Sequence, residues 1–301
     1  MQHNIPEFLL ELLLKQYGKN TTKSILKGYS NNRPITLRAN TLKTSINYIK
    51  NTLNTLNISF KNVPWYTDAL ILENTSEEQI KNLDIYKEGF IYLQNLSSMI
   101  PPIILNPQEN ENILDMAAAP GGKTTQMLAL SQNKAFITAC EKNKIRAERL
   151  KYNINKQNAN RVNVMTKDSR NLDDFFSFDK ILLDAPCSGS GTINLSNNNL
   201  EKIFTKDLID RSTKFQHQLL TKAVKLIKPG HEIIYSTCSI LSVENENIVQ
   251  DFINSNKLQI IPIDKNVFPD IHFLPTSIAG TLCIAPSELY EGFFVAKLKK
   301  H

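Results

Sequence analysis

What this sequence has little of already excludes several classes of protein. It carries four cysteines in 301 residues, at positions 140, 187, 238 and 283, with no Cys-x-x-Cys pair. That spacing offers neither a zinc site nor a disulfide scaffold. In a reducing compartment the four read as core thiols or nucleophiles. The five histidines are scattered, and no metal is expected. No apolar run approaches the roughly 18–20 residues that span a bilayer; Phe8–Leu14 is short and broken by Glu11. The opening residues lack the basic start of a signal peptide, so the expected location is the cytoplasm. Acid is scarce at one end: Met1–Tyr66 holds nine Lys/Arg and only two acids, Glu7 and Glu11. A polyanion is the natural partner of such a segment, and a solvated lysine-rich surface is the competing reading.

Apolar residues at helical spacing (Phe8, Leu9, Leu12, Leu13) predict a helix over 6–17 that Gly18 ends, with a further turn or two near 24–29. The pattern then predicts strand 35–39, helix 45–56, strand 58–63, strand 69–72, a short helix at 77–83 and strand 89–93. This β-α-β-β-α-β order matches a ferredoxin-like sheet, a shape shared by many RNA-binding modules. Residues 97–105 read as a docking helix carrying Pro101-Pro102. Beyond it strands and helices alternate: strand 111–115, helix 122–131, strand 135–140, helix 143–157, strands 162–165 and 179–184, helix 210–227, strand 231–236 and helix 244–255. Alternation of this kind predicts a parallel sheet covered by helices on both faces. Residues 258–263 and 293–297 complete it, with 268–291 an irregular excursion. The expected architecture is α/β: a small helical plus ferredoxin-like domain over 1–93, then a Rossmann-like domain over 94–301.

Three loops carry the chemistry. The first, Ala117-Ala118-Ala119-Pro120-Gly121-Gly122-Lys123, joins strand 111–115 to a helix. Its ending resembles a phosphate-binding loop, but the first glycine of that motif is replaced by Ala117. Pro120 also removes a backbone N–H from a loop that works by donating them. A nucleotide triphosphatase is therefore disfavoured. Glu141 follows the next strand about 20 residues on, where an acid bonds a ribose in nucleoside-binding α/β folds. Asp168 follows the strand after that, within reach of an adenine amino group. Together these describe a pocket for S-adenosylmethionine. Taken alone, Glu141 reads as an acid at a helix start.

The second loop, Asp184-Ala185-Pro186-Cys187-Ser188-Gly189-Ser190-Gly191, and the third, Tyr235-Ser236-Thr237-Cys238-Ser239-Ile240, each place a cysteine just past the carboxyl end of a strand. Ligands bind on that side of such sheets. Cys140 and Cys283 read as buried small hydrophobes. A thiolate beside a methyl donor suits one reaction. Carbon 5 of a pyrimidine becomes nucleophilic once a cysteine adds to carbon 6, with Asp184 contacting the base edge, and the base must leave its stack to be reached. Chemistry alone does not choose between Cys187 and Cys238.

These motifs, together with Leu37-Arg38-Ala39-Asn40-Thr41-Leu42-Lys43, Gln94-Asn95-Leu96-Ser97-Ser98, Glu244-Asn245-Glu246 and Glu291-Gly292-Phe293-Phe294-Val295-Ala296-Lys297, make the chain similar to the Sun/Fmu family of RNA (cytosine-5)-methyltransferases. The resemblance covers nearly the whole chain. It implies a class I methyltransferase domain using S-adenosylmethionine, with Ala117–Lys123, Glu141, Asp168 and Asp184 lining the cofactor site. It further implies Cys238 as the nucleophile and Cys187 as the residue that assists product release. Ala117 departs from the family, which has cysteine there. The implied substrate is RNA, ribosomal first and transfer RNA second, acted on by a monomer away from membranes. A catalytically inactive RNA-binding assembly factor is the alternative of another class. Lys123 is expected in the site. Arg38, Asn40 and Lys43 are expected to contact RNA from the small domain's basic face, with a solvated strand edge as the competing reading.

Overall fold

The computed structural model describes residues 5–197 and 199–301, so Met1–Asn4 and Asn198 lie outside the described residues. The chain starts with α1 (Glu7–Tyr29), two helices joined where Gly18 takes φ 72° and ψ 173°. That backbone is open to glycine and strained for other residues. There follow β1 (Thr36–Ala39), α2 (Ile46–Thr55), β2 (Phe60–Val63), β3 (Tyr66–Leu72), α3 (Glu77–Asn82), the single turn α4 (Asp84–Lys87) and β4 (Ile91–Leu93). Ser45 caps α2 through Tyr48 N, and Ser76 with Gln79 forms a capping box on α3, which fixes both helix starts. The four strands form an antiparallel sheet in the order β2-β3-β1-β4. This is the expected ferredoxin-like arrangement, with its own core around Leu37, Ile49, Leu53, Leu70 and Ile91.

α5 (Leu96–Leu105) leads into the large unit despite Pro101 and Pro102. Pro102 has no N–H for the Ser98 carbonyl, and Gln94 Nε2 donates to that oxygen instead at 3.1 Å. Then come β5 (Asn112–Asp115), α6 (Gly122–Leu130), β6 (Phe136–Cys140), α7 (Lys144–Lys156), β7 (Val162–Met165), β8 (Phe178–Asp184), α8 (Leu200–Ile203), α9 (Lys206–Leu226), β9 (Ile227–Thr237), α10 (Glu246–Asn254), β10 (Leu258–Ile260), β11 (Phe273–Leu274), β12 (Leu282–Ile284) and β13 (Phe293–Lys300). The sheet order is β11-β12-β13-β9-β8-β5-β6-β7, with β10 on β13. From β5 the chain winds to β6 and β7 on one side and to β8 and β9 on the other. The crevice between the carboxyl ends of β5 and β8 is therefore the topological switch point, where such folds bind ligands.

Two features differ from the sequence expectation. The sheet is parallel only from β7 to β9; β13 and everything beyond it run antiparallel. Within 268–291, β11 and β12 add to the edge, as strands of two and three residues too short to leave a periodic pattern. The second difference concerns α1, expected within a 1–93 domain. Its buried residues Leu9, Leu13, Tyr17, Ile25 and Tyr29 share a core with Leu183, Ile233, Tyr235 and Phe294 of the large sheet. The opposite sheet face, carrying Leu182, Ile234 and Val295, packs on α5, α6 and α7. Neighbouring residues on β8, β9 and β13 thus alternate between the two cores, as a strand covered on both faces requires.

Candidate active site

The first loop leaves β5 at Asp115 and enters α6 at Gly122. Met116 N donates to Leu182 O and Ala118 N to Cys140 O, at 3.0 and 2.9 Å, so the loop is pinned to the strands on both sides. Gly121 has φ 108°, and a Cβ there would meet Leu150 Cδ1 at 2.9 Å; only glycine fits this turn. Against the loop lies a cavity of about 220 Å³. Its lining includes Glu141 and Asp168, which follow β6 and β7 on one side of β5, and Cys187 and Cys238, which follow β8 and β9 on the other, with Ala117, Ala119 and Asp184 also lining it. An adjoining cavity of about 250 Å³ shares Ala117, Ala119 and Asp184 and adds Ala118, Pro120, Gly122 and Lys123. Gly121 lines neither.

Asp184 is the hinge of this geometry. Its Oδ2 pairs with Lys123 Nζ at 2.7 Å, and its Oδ1 accepts from Ser236 Oγ at 2.8 Å. Lys123 also donates to Ser98 Oγ at 2.6 Å, so its charge is committed. Glu141 is buried; its Oε1 accepts from Asn143 N at 2.8 Å and Arg146 approaches Oε2 at 3.5 Å. Asp168 is held by Arg170, whose guanidinium bonds both carboxylate oxygens, and this bonding keeps its carboxyl below the usual range. Each oxygen has two lone pairs, so Glu141, with one partner on each oxygen, keeps capacity for a ligand. Both oxygens of Asp168 already accept two donors from Arg170, and a ligand there would displace one of them.

Sequence reasoning missed Asp115, fully buried beneath the loop and bonded by Thr124 Oγ1 at 2.7 Å. Burial pushes its carboxyl up from 3.8 to about 6, the Thr124 bond opposing. The folded state therefore takes up this proton more readily than the unfolded chain. Asp115 favours folding fully below its usual value and loses that contribution as pH rises to about 6. Asp115→Asn removes a buried charge and keeps an oxygen for Thr124. It should raise stability by up to about 3 kcal/mol above pH 7 and leave it unchanged near pH 4. Denaturant midpoints at the two pH values check this; equal gains at both would sink the charge argument.

β8 and β9 are parallel neighbours with Asp184 opposite Ser236, so the two cysteine loops leave the sheet side by side. Cys187 Sγ and Cys238 Sγ are 3.1 Å apart. The bond to Cys238 holds the Cys187 thiol well above its ordinary value, burial and the charge of Glu244 adding to it. Cys140 and Cys283 are fully buried elsewhere, and burial pushes Cys140 up to about 12; both are core thiols, as read from the sequence. Underneath, Tyr17 Oη donates to Ile240 O and Tyr29 Oη to Ser190 O, so α1 braces the two loops from below.

Arg38 and Asn40 require correction. Neither lies on an outer basic face: both are buried. Arg38 donates to Gln94 Oε1, Gly122 O and Thr125 Oγ1, and Asn40 to Gly89 O and Gln157 O. They join the four-stranded sheet to the large domain and are closed to RNA. Lys43 is exposed, its Nζ directed at Glu88 O. Glu244, part of a motif but given no role from sequence, is completely buried under both cysteine loops.

Residues 102–299 match the family described as 16S rRNA methyltransferase RsmB/F, and residues 5–77 an RsmF/B-like methyltransferase ferredoxin-like domain. The chain is 34% identical over 282 residues to ribosomal RNA small subunit methyltransferase F of Shewanella sp. (strain ANA-3), covering 89% of this chain and 57% of that protein. To its counterpart in Shewanella oneidensis it is 33% identical, covering 89% and 58%. It thus spans little more than half the length of these curated relatives. A methyltransferase homolog protein from Pyrococcus horikoshii superposes with TM-score 0.82 at 30% identity, covering 99% of this chain and all of that one. NSun6 from Pyrococcus horikoshii, solved with SFG, superposes with TM-score 0.87 at 22% identity over 100% and 99% of the two chains, and shares the fold.

Proposed function

The chain belongs to the RsmB/F family of 16S rRNA methyltransferases, and from that premise we propose that it methylates carbon 5 of a cytosine in RNA, small-subunit ribosomal RNA first and transfer RNA as the alternative. The observation that carries this is the pair of thiols 3.1 Å apart in a cleft that Glu141, Asp168 and Asp184 also line.

The family's cofactor is S-adenosylmethionine, and the residues present fit it. Glu141, Asp168 and Asp184 favour a ligand with hydroxyl and amino groups to bond. Lys142, Arg146 and Lys167 also line the cavity and balance those three charges, and Lys123, the cation a phosphate-binding loop would offer, is already paired with Asp184. Glu141 would hold the ribose, Asp168 the adenine edge, and Ala117 and Ala119 give close passage along the wall. The group supplies an electrophilic methyl on a sulfonium. The chain's own residues do the rest. Asp184, fixed by Lys123 and Ser236, bonds the base edge. The Cys238 thiolate adds to carbon 6, which makes carbon 5 the methyl acceptor. Once the methyl is on carbon 5, water takes the carbon-5 proton, the C–H electron pair forms the 5,6 double bond and the C–S pair returns to sulfur, with Cys187 assisting this release. Recombinant protein with S-adenosylmethionine should convert one cytosine of a 16S rRNA transcript to a bisulfite-resistant form. Protection confined to transfer RNA would select the alternative, and none in either would end the cytosine reading. No helix among the described residues is long and apolar enough to cross a membrane, and the proposed compartment is the cytoplasm.

For RNA contact, Lys43 has company that the sequence concealed. Its Nζ lies 5.6 Å from the Phe90 ring, which Tyr48 meets edge-on, while Lys156 Nζ sits 3.8 Å from Tyr86 and 5.8 Å from Tyr152. Tyr48 and Tyr152 are 50% and 62% exposed. Cations interleaved with exposed rings suit a single-stranded backbone and its bases. The helix bearing Lys156 and Tyr152 has Lys142 and Arg146, which line the catalytic cavity, at its other end. The double variant Lys43→Glu, Tyr152→Ala should weaken binding of a 16S rRNA transcript about tenfold and flatten its salt dependence. Unchanged affinity in filter binding would assign the patch to solvent.

A further inference from the structure

We propose that Glu244 is a positioning residue that sets the two active-site cysteines against each other, and so governs whether the covalent RNA adduct proceeds to product. The inference rests on the cytosine-5 reading above and adds a residue to it.

Glu244 is a carboxylate in an unusual place: it ends a single helical turn after β9 and is completely buried. A buried carboxylate needs a cation or a full set of donors. Among the described residues no lysine or arginine pairs with it, and donors satisfy it instead. Ser188 N and Ser188 Oγ reach it at 2.7 and 2.5 Å, Ser239 Oγ at 2.6 Å and Gln216 Nε2 at 3.4 Å. The positions of these donors are informative. Ser188 directly follows Cys187, and Ser239 directly follows Cys238. One carboxylate therefore grips the residue next to each thiol. Gln216 Nε2 also donates to Pro186 O at 3.0 Å, so Cys187 is held on both its flanks.

Bonds to a charged acceptor are short and directional, which suits a fixed separation between sulfurs. The release step needs that separation. As water takes the carbon-5 proton, the C–H electron pair becomes the 5,6 double bond, the Cys238 sulfur–carbon-6 bond breaks and its pair returns to sulfur. Cys187, keeping its proton, must stand beside the leaving sulfur to hydrogen-bond it at that moment. The negative charge of Glu244 is also one of the causes that hold the Cys187 thiol above its ordinary value, consistent with a proton kept on that sulfur. Other contacts between the loops do not involve Glu244. Gly191 N bonds Cys238 O at 2.9 Å, and Ser190 Oγ lies 2.8 Å from Ser239 Oγ. The loops should therefore stay paired when the carboxylate is altered, with only the thiol spacing released.

The test uses the full chain, a 16S rRNA transcript and labelled S-adenosylmethionine, with single-turnover methyl transfer, steady-state rate and denaturant-resistant adduct measured for each variant. For Glu244→Gln the steady-state rate should fall tenfold or more, while single-turnover transfer changes less than threefold and the adduct fraction rises. Ser188→Ala, which loosens only the Cys187 side, should reproduce that split. Ser239→Ala removes the hydroxyl outright, whereas Glu244→Gln leaves that hydroxyl a partner. It also loses the contacts to Ser190 Oγ and Leu241 N on the nucleophile's side, and should slow adduct formation itself. Steady-state and single-turnover rates falling by one common factor, or not falling at all, with no gain in adduct, overturn the proposal. If Glu244→Gln fails to fold, Ser188→Ala decides alone, because its carboxylate is intact. Wild-type protein that forms no 5-methylcytosine fails the underlying reading instead, so the two failures are distinguishable.

Discussion

Cys238→Ala should abolish methylation, lowering the rate by at least about 10⁴-fold, while S-adenosylmethionine affinity stays within about threefold of wild type. The size of the loss follows from the substrate. Carbon 5 of cytosine accepts a methyl group only after addition at carbon 6, and on this assignment the remaining thiol, Cys187, serves release rather than attack. Asp184 is engaged by Lys123 and Ser236, and Lys123 by Asp184 and Ser98. The affinity should hold because Cys238 follows β9, with β8 and β5 between it and the strands β6 and β7 that Glu141 and Asp168 follow. A second readout is available. The bond to Cys238 is the first cause of the raised Cys187 thiol, so Cys187 should titrate closer to its ordinary value in Cys238→Ala, seen as faster alkylation at a given pH. Surviving turnover would mean that the nucleophile is assigned wrongly, and calorimetric loss of cofactor binding would show that the substitution disturbed the cleft.

Much of the fold is legible in the sequence because its signals are local. Gly18 stops a helix, and the alternation of strand and helix from β5 to β9 is regular enough to give the wound sheet. The first loop is legible for the same reason, since small residues, glycines and the acid at 141 occupy fixed offsets. What escaped has a non-local cause. Arg38 alternates correctly along β1, but alternation says only which face a residue occupies. It does not say that Gln94, Gly122 and Thr125 cover that face. The donors of Glu244 come from positions 188, 216 and 239, which only folding assembles. The strands β11 and β12 are set by pairing with β13 rather than by their own pattern.

The same distinction changes how the N-terminal segment is to be tested. Its excess of lysine suggests an RNA-binding module that could be cut away at residue 66. Yet Tyr17 and Tyr29 of α1 bond the Ile240 and Ser190 carbonyls, and Gln16 spans Ile240 O and Ser242 N at 3.1 and 3.0 Å. Gly28 packs so closely on Pro286 that a Cβ would lie 2.1 Å from its carbonyl oxygen. Truncation would remove the floor of the two cysteine loops together with the basic charge. A loss of RNA binding after it would then say nothing about electrostatics, and point variants on the exposed Lys43–Tyr152 patch are the sharper probe.

Cys187→Ala should give the opposite phenotype to Cys238→Ala: one turnover of methyl transfer, little thereafter, and a stable protein–RNA adduct that survives denaturant. With Cys238 present, addition and methyl acceptance proceed. With Cys187 absent, the group assisting departure of the Cys238 sulfur is gone, so the enzyme stays bonded to its product. The expected steady-state rate is lower by at least about 100-fold, the scale on which a positioned proton-transfer group acts, with adduct approaching one RNA per protein. Geometry makes this experiment decisive. The sulfurs are 3.1 Å apart and leave neighbouring strands, so position alone does not rank them, and either could in principle attack. The pair of variants does rank them. A band from Cys187→Ala and none from Cys238→Ala fixes Cys238 as nucleophile. The reverse pattern exchanges the roles, and bands from neither variant would leave Cys187 without a part in release.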